Sequence, residues 1–304
     1  MRPEILSEKN LLSILFVAVV FSFPAVGNAA MDIEGFTTER HDRFANNPLF
    51  VADAFDLTGV ARSTNGQWAT MISPTHFLSA DHRHPPVGSS VTFHHDNDPL
   101  GATSSRMVAS GRQIGNTDLW IGNLDSAIDA AVKHYPLATD GLYSLVYHVG
   151  VSQSGQLGTS PTTSFAVGRN ILDLEFGDVE VGPRLTDSVG YYDNSTAGDL
   201  TGSMQEGPSP AIADETFFQT GDSGAPTFVA VNGDLVLLGI HAFVAEVSTT
   251  APDSTFERRA SGDSYLPTYR NAVLTSIPEP NAAAYLSLLF CVFFVSKCIR
   301  HLLV

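Results

Sequence analysis

Short apolar runs, each bounded by turn residues, recur along most of the chain, and they constrain its fold more than any other feature. They are rich in Val, Ile, Leu, Phe and Thr, a composition typical of β-strands. We predict strands at residues 67–73, 90–94, 106–110, 119–124, 145–149, 164–167, 227–231 and 235–244. The sequence Asn232-Gly233-Asp234 between the last two runs predicts a hairpin turn. Many short strands at this spacing predict an all-β barrel or sandwich.

Two segments have helical character instead. Residues 125–134 carry apolar side chains four positions apart, and residues 266–274 form a second helical pattern near the end of the strand-rich region. Pro267 would lie in the first turn of that short C-terminal helix, where its missing N–H costs nothing. Residues 187–214 are rich in Gly, Ser, Thr and Asp, and we predict long surface loops there.

The charge of the chain excludes one class of partner. Asp and Glu number 32 against 16 Lys and Arg, which gives a formal net charge of −16. So acidic a chain would repel a phosphate backbone, and we therefore expect no nucleic-acid partner. The two cysteines, Cys291 and Cys298, both lie near the C-terminus, so the strand-rich region has no disulfide and must be held by its apolar core.

The N-terminal end is typical of an export signal. A polar start with two basic residues precedes the apolar run 11–23, and Gly27-Asn28-Ala29-Ala30 then supplies small residues for cleavage. The alternative is a membrane anchor, but 13 apolar residues are short of the roughly 20 that a helical span needs. We predict that residues 1–30 are a signal peptide, cleaved after Ala29 or Ala30.

The C-terminal end has a different order of parts. Pro278-Glu279-Pro280 is followed by the apolar run 282–295 and then by Lys297 and Arg300. Residues 278–304 resemble the PEP-CTERM sorting tail of Gram-negative bacteria. That resemblance implies recognition by an exosortase-type membrane enzyme and delivery to the cell surface or extracellular matrix. A plain C-terminal membrane anchor is the alternative, so contact with a membrane is expected only through the terminal segments.

One glycine-flanked serine is the sharpest chemical signal. Gly221-Asp222-Ser223-Gly224 stands directly before an apolar strand, and glycines on both sides let the backbone turn tightly and leave the hydroxyl accessible. The N–H groups of Gly221 and Ser223 could point at one oxygen and stabilise a developing negative charge. Taken alone, the segment is better explained as an ordinary Asp-Ser-Gly turn.

Two earlier segments complete a pattern. Ser79-Ala80-Asp81-His82 follows an apolar run, and Asp118 opens the strand at 119–124; the separations are 36 residues from His82 to Asp118 and 105 from Asp118 to Ser223. In this order, the three segments resemble the chymotrypsin/trypsin-like serine peptidases over roughly residues 60–274. The resemblance implies two six-stranded antiparallel β-barrels with a short C-terminal helix. It assigns His82 and Asp118 to an N-terminal barrel at 31–140 and Ser223 to a C-terminal barrel at 141–277.

The roles of these residues follow from the resemblance. Ser223 would be the nucleophile, His82 its general base and then acid, and Asp118 the residue that orients the imidazole. The backbone N–H groups of Gly221 and Ser223 would form the oxyanion hole. The reaction class is peptide-bond hydrolysis of a polypeptide substrate through an acyl-enzyme, and it needs no cofactor and no metal.

The sequence also departs from the family. The expected mature start, Met31-Asp32-Ile33-Glu34-Gly35, does not resemble the Ile/Val-Val-Gly-Gly terminus that pairs, in trypsin-like enzymes, with the acid before the serine. We therefore expect another partner for Asp222, such as an arginine, and activity without a propeptide cut. Phe217 stands six positions before Ser223, where trypsins have an acid, so a preference for Lys or Arg is not implied.

The strand Gly239-Ile240-His241-Ala242-Phe243-Val244 resembles the substrate-binding strand of the family. Ala242 stands where a serine often supports the catalytic Asp, and Val244 stands where a small glycine is common. Bacterial glutamyl endopeptidases carry a similar Gly-Ile-His, whose His contacts the substrate carboxylate. His241 therefore suggests a preference for acidic residues before the scissile bond, and a buried structural histidine is the alternative.

Two other functions stay open on the sequence alone. Ala242 and Val244 are compatible with a catalytically silent binding protein displayed at the surface on the same fold. His82, His84 and His94 could instead form a zinc site of a metal-dependent surface protein. The first prediction remains an exported serine endopeptidase.

Overall fold

A computed structural model describes residues 30–139, 145–154, 160–193, 212–251 and 254–277. The first half has the order β1 (Asp32–Ile33), α1 (Thr38–His41), β2 (Val60–Ser63), β3 (Trp68–Met71), β4 (His76–Ala80), β5 (Ser90–His94), β6 (Thr103–Gln113) and β7 (Leu119–Leu124). The second half has the order β8 (Leu145–Gly150), β9 (Ala166–Ile171), β10 (Leu174–Val181), β11 (Arg184–Tyr192), β12 (Thr216–Phe217), β13 (Pro226–Val231), β14 (Asp234–Ala251), β15 (Ser254–Tyr265) and α2 (Leu266–Thr275).

The first half closes into a barrel. Its six strands pair in the order β2-β3-β4-β7-β6-β5, with β5 returning to β2, and every pair is antiparallel. Alternate side chains of β5, Val91 and Phe93, point inward and are fully buried with Phe77 and Trp120. The predicted N-terminal barrel is confirmed.

The second half forms a seven-stranded sheet in the order β10-β11-β15-β14-β13-β8-β9, again antiparallel throughout. The described residues therefore do not show the closed six-stranded barrel that we predicted for 141–277. The sheet has one strand more than predicted and includes the β10–β11 hairpin. In the described part of the chain, its two edge strands, β9 and β10, do not pair with each other.

One apolar cluster joins the two halves. It contains Trp68 and Leu119 from the barrel, and Phe228 and Ile240 from the sheet, all fully buried. Burying each such side chain contributes about 1.5–3 kcal/mol, so this shared core fixes one half against the other. Helix α2 adds Leu266 and Val273 to the same cluster.

Two local predictions are confirmed. Helix α2 covers the predicted 266–274, with Pro267 in its first turn. β13 and β14 form the predicted hairpin, and its two central residues, Asn232 and Gly233, have φ angles of 53° and 87°. Positive φ at both positions gives the turn the twist of the strands that it joins.

The helix predicted at 125–134 is wrong. The spacing of Ile128 and Val132 indicated one apolar helix face. Both side chains are buried in the barrel cluster, but the segment that carries them is not helical. The amide of Ile128 donates to the carbonyl of Pro74 at 2.8 Å, in another segment of the barrel. Apolar burial and bonds between segments replace the intrahelical ladder here.

The prediction of surface loops at 187–214 is wrong for its first part. Residues 187–192 belong to β11, which lies between β10 and β15. Val189 and Tyr191 are fully buried, since alternate side chains of β11 face the core of the sheet. Asp193 and Asp214 are buried as well, and residues 194–211 of this prediction lie outside the described residues.

Both terminal predictions also fall outside the described chain, apart from Ala30. They are the signal peptide at 1–30 and the sorting tail at 278–304. Within the described ranges, no helix has the length and apolar character to cross a bilayer.

Candidate active site

The structure brings His82 and Asp118 together. Ala80, the last residue of β4, pairs with Leu119, the first residue of β7, so the residues just beyond these strand ends meet at one end of the barrel. Oδ2 of Asp118 lies 2.7 Å from Nδ1 of His82, and Oδ1 accepts the backbone N–H of His82 at 3.0 Å. The backbone is held too, because the Asp81 amide donates to the Asp118 carbonyl at 2.9 Å.

This geometry fixes the imidazole of His82. The Asp118 carboxylate is fully buried, whereas the His82 side chain is 27% exposed. A carboxylate can only accept at Nδ1, so Nδ1 carries the proton and Nε2 is left as the basic nitrogen. The pair therefore has the arrangement of a general base with an orienting acid.

The segment around Ser223 is a tight turn. Gly221 has a φ of 120° and Gly224 a φ of 87°, backbone conformations that side chains strongly disfavour. The Asp222 amide donates to Gln219, and the Ala225 amide donates to Asp222, at 3.0 and 2.9 Å. Ser223 is half-buried in this turn.

The Ser223 turn packs directly against the segment that carries His82. A Cβ on Gly224 would come within 2.6 Å of the Ser79 hydroxyl and 3.1 Å of the Arg83 carbonyl, so only glycine fits. From the barrel core, the indole N–H of Trp68 donates to the Gly221 carbonyl at 3.0 Å. Two contacts thus hold the turn against the barrel.

The predicted oxyanion-hole residues lie in this turn. Among the described residues, the amides of Gly221 and Ser223 have no hydrogen-bond acceptor, whereas the neighbouring amides of Asp222, Gly224 and Ala225 all donate within the fold. A pair of uncommitted backbone N–H groups beside a serine is what stabilisation of a tetrahedral oxyanion requires.

Asp222 points away from the turn into the interior. Its Oδ1 accepts the Val151 amide and its Oδ2 accepts the Gln219 amide, each at 2.7 Å. Burial raises the pKa of Asp222 to about 7, and the two amide bonds and the charges of Arg62 and Arg83 partly oppose this rise. We expected an arginine partner; the structure supplies two backbone amides, with arginine charge in addition.

His241 lies in the interior beneath the site. It is 1% exposed, its ring stacks on Phe218 with centroids 3.6 Å apart, and Nε2 lies 3.1 Å from the Thr227 hydroxyl. Burial, followed by the charge of His148, lowers the pKa of His241 well below its ordinary value. The imidazole is therefore neutral at pH 7.

A buried carboxylate accompanies this histidine. Oδ1 of Asp263 lies 3.9 Å from Nε2 of His241, and Oδ2 accepts the Tyr191 hydroxyl at 2.8 Å. Burial raises the pKa of Asp263 to about 7, against hydrogen bonds from Thr227 and Tyr191. Sequence reasoning missed Asp263, because it lies on β15, which we did not predict.

Phe217 and Phe218 are neighbours in the sequence but pack against different parts of the structure. Phe217 pairs with Asp32 of β1, and the guanidinium of Arg259 lies 4.3 Å from its ring centroid. Its neighbour Phe218, which we did not single out, contacts His241 instead. No local pattern distinguishes the two residues, since both are buried.

The remaining predicted substrate-binding residues lie on β14. Ala242 is buried against Val179 and Val181 of β10, Phe243 packs on the edge of the same cluster, and Val244 is 46% exposed. The β10–β11 hairpin thus covers part of the predicted substrate-binding strand. Val179 and Val181 were missed because β10 was not predicted as a strand.

The three histidines of the proposed zinc site have separate partners. His82 binds Asp118, the ring of His84 stacks on Trp120 at 4.2 Å, and the ring of His94 packs on Phe44 at 4.6 Å. In the part of the chain that the structure describes, no group of three or more His, Cys, Asp or Glu side chains is placed to hold a metal.

Neither a scan against models of known protein families nor a search of curated proteins gave a match to this chain.

Proposed function

We propose that this protein is an exported serine endopeptidase that cleaves polypeptides through an acyl-enzyme. One observation carries the proposal: the buried Asp118 carboxylate holds His82 by both its ring and its backbone, next to the glycine turn of Ser223. An ordinary turn would not require Gly224 to fit against the segment that carries a carboxylate-bound histidine.

The reaction divides into two acyl transfers. Ser223 Oγ forms a bond to the scissile carbonyl carbon as Nε2 of His82 takes its proton, and the oxygen becomes an oxyanion facing the N–H groups of Gly221 and Ser223. The C–N bond then breaks, and His82 gives the proton to the leaving amine. Water then attacks the acyl ester as His82 takes one of its protons. The ester C–O bond breaks, Ser223 Oγ regains a proton from His82, and the new peptide carboxyl group is released. Asp118 stabilises the imidazolium in both halves.

The relation to the chymotrypsin/trypsin-like fold is part of this proposal. The closed six-stranded barrel, the catalytic pair at its end and the C-terminal helix support it. In this reading, the seven-stranded sheet is the counterpart of the second barrel, extended by the β10–β11 hairpin.

A preference for acidic residues before the scissile bond is a separate proposal, based on the sequence around His241. Its support is limited to the position of His241 below the Ser223 turn, where the Gly224 amide donates to the His241 carbonyl at 3.0 Å. Cleavage of a mixed peptide library by the full-length protein tests it. Enrichment of large apolar residues without acids before the cut would contradict the preference while leaving the peptidase proposal intact.

Residues 1–30 and 278–304 are the proposed targeting signals of the protein. We infer that the first is removed on export and that the second is recognised by an exosortase-type enzyme at the surface of a Gram-negative bacterium. Mass spectrometry of the protein recovered from such a host tests both. A mature N-terminus at Ala30 or Met31 and a loss of mass from the tail are expected; an intact chain would contradict both.

Labelling with a serine-directed fluorophosphonate tests the peptidase proposal. We expect an adduct at Ser223 of the full-length protein, located by peptide mass spectrometry, and loss of both adduct and peptide turnover in Ser223→Ala. The matched control is Ser126→Ala, because Ser126 is exposed and its hydroxyl contacts only Asp125 among the described residues. Absence of labelling in a folded wild-type protein would contradict the proposal.

A catalytically silent binding protein is the second candidate. The observation that favours it is the burial of Ala242 beneath Val179 and Val181, because no hydroxyl at position 242 supports Asp118 and the strand is partly covered. This candidate predicts no turnover in the wild type and unchanged partner binding in Ser223→Ala. Turnover that disappears with Ser223→Ala would exclude it.

A further inference from the structure

The tip of the β10–β11 hairpin reaches the candidate catalytic residues. Gly182, with a φ of 60°, turns the chain between the two strands, and Arg184 opens β11. The next amide, that of Leu185, donates to the Asn116 carbonyl at 3.0 Å, which ties the hairpin to the segment just before Asp118.

Arg184 contacts both acids beside His82. Its Nε lies 2.5 Å from Oδ2 of Asp81 and 3.5 Å from Oδ1 of Asp118. The arginine side chain is 20% exposed, and those of Asp81 and Asp118 are 13% and 0% exposed. Charges this little exposed interact more strongly than a pair at the surface.

We propose that Arg184 is a positioning residue for the catalytic pair, which holds the Asp118 carboxylate against His82 and moderates the negative charge around the imidazole. This rests on the proposed peptidase function. The hairpin thus supplies a cation to the Asp118 carboxylate from outside the barrel.

The contacts of Asp118 make this role specific. Its Oδ1 accepts the His82 backbone N–H at 3.0 Å and faces Arg184, whereas Oδ2 binds the His82 ring at 2.7 Å. Arg184 thus helps to keep Oδ1 on the backbone side, so that Oδ2 stays aligned with Nδ1. A carboxylate without this contact can rotate about its Cβ–Cγ bond and loosen both bonds.

The charged groups around His82 determine in which direction the loss of Arg184 would shift its protonation. They are the carboxylates of Asp81 and Asp118, the guanidinium of Arg184, and the imidazole of His84, which interacts with all of them. Arg184 reaches beyond its direct partners: it lowers the pKa of His84, after the larger effect of burial. Removing Arg184 leaves two carboxylates less compensated, which favours the imidazolium form of His82.

The test is a histidine NMR titration of the full-length protein with labelled imidazole carbons, alongside the pH profile of kcat/KM. In Arg184→Gln, we expect the midpoint of the His82 titration and the acidic limb of kcat/KM to move up by about 0.5–1 pH unit. We expect kcat to fall about tenfold with KM little changed. Arg184→Lys keeps the charge and should restore the midpoint, but only part of kcat.

Arg106→Gln is the matched control, because it removes one arginine that ion-pairs with a different acid, Asp129 at 3.1 Å. It should move neither the midpoint nor kcat. An unchanged midpoint in Arg184→Gln, or the same shift in the control, would overturn the proposal. If neither Arg184→Gln nor Arg184→Met folds, Arg184 is a structural residue and the proposal also fails. The NMR readout needs no activity, so a protein without turnover would contradict the peptidase function separately.

Discussion

The carboxylate of Asp222 accepts the backbone amide of Val151, with Oδ1 2.7 Å from the nitrogen. The bond links the residue next to the candidate nucleophile to the end of β8, 71 positions earlier in the chain. Its second oxygen holds Gln219 in the turn itself. This buried side chain therefore helps to fix the turn against the sheet, together with the bond from the Gly224 amide to the His241 carbonyl.

Asp222→Asn tests this relationship. An asparagine has one acceptor oxygen for two backbone donors, so one N–H would face an NH2 group and lose its partner. We expect the free energy of unfolding to fall by about 1–3 kcal/mol and kcat to fall about tenfold or more. Chemical denaturation and steady-state kinetics measure the two effects. The exposed Asp53→Asn is the control, and equal values for the two variants would contradict the role of Asp222.

Asp118→Asn should abolish most turnover while leaving the fold intact. The carboxylate accepts two N–H groups, one from the His82 backbone and one from its ring. An asparagine has one acceptor oxygen and one NH2 group, so either one of these bonds is lost or the His82 ring must take the tautomer with its proton on Nε2. We expect kcat to fall by a factor on the order of 10³–10⁴. Steady-state kinetics at neutral pH provide the measurement, with Asp125→Asn at an exposed position as the control. A kcat within threefold of the wild type would show that Asp118 does not orient His82.

Asp263 should make the free energy of unfolding fall as the pH rises towards neutrality. Its pKa is raised to about 7 in the folded protein by burial, whereas an unfolded Asp titrates near 3.9. Between these two values only the folded state holds the proton, so the free energy of unfolding falls as the pH rises from about 4 to about 7. Above about pH 7 this group adds no further change, because neither state holds the proton. Asp263→Asn removes this fall and can still accept the Tyr191 hydroxyl.

The measurement is the difference in unfolding free energy between Asp263→Asn and the wild type, since buried histidines also contribute to each curve. We expect that difference to rise by about 1–3 kcal/mol in favour of the variant from pH 5 to pH 8.5. Denaturant titrations at both pH values give it. A difference independent of pH would mean that Asp263 is ionised in the folded protein throughout.

Trp68→Phe should loosen the Ser223 turn while keeping an aromatic ring at this buried position. The variant loses the indole N–H that donates to the Gly221 carbonyl at 3.0 Å, and the smaller ring leaves a cavity in the shared core. We expect a loss of about 1–2 kcal/mol in stability and a several-fold fall in kcat. Trp120→Phe makes the same change in the other barrel cluster and should reduce stability with little effect on kcat. Calorimetry and kinetics distinguish the outcomes, and a larger kcat loss in Trp120→Phe would contradict the role of Trp68.

Much of the first barrel, and the hairpin turn of the second half, could be predicted from the sequence because their signals are local. The strand at 90–94 alternates buried and less buried residues, and Asn232-Gly233 has the residues that a two-residue turn requires. The resemblance of the segments around His82 and Asp118 also anticipated their contact. In each case a short stretch of chain carries its own information.

Features that depend on distant partners could not be predicted in this way. Strand β11 contains Asp187, Ser188 and Gly190, which disfavour strands, and forms because β10 and β15 pair with it on both sides. The contact between Arg184 and Asp81 joins residues 103 positions apart, and no pattern in either segment indicates it. Phe218 was passed over for Phe217 for the same reason.

The hydrogen bond between Trp68 and Gly221 spans 153 residues of chain. The turn that presents the serine is therefore shaped by a side chain from the first half of the chain, and it reaches its final form only when both halves have docked. A newly made chain whose second half has not yet folded would therefore lack a completed candidate site. If the export and peptidase proposals both hold, this order of folding protects the producing cell from the enzyme until export is complete.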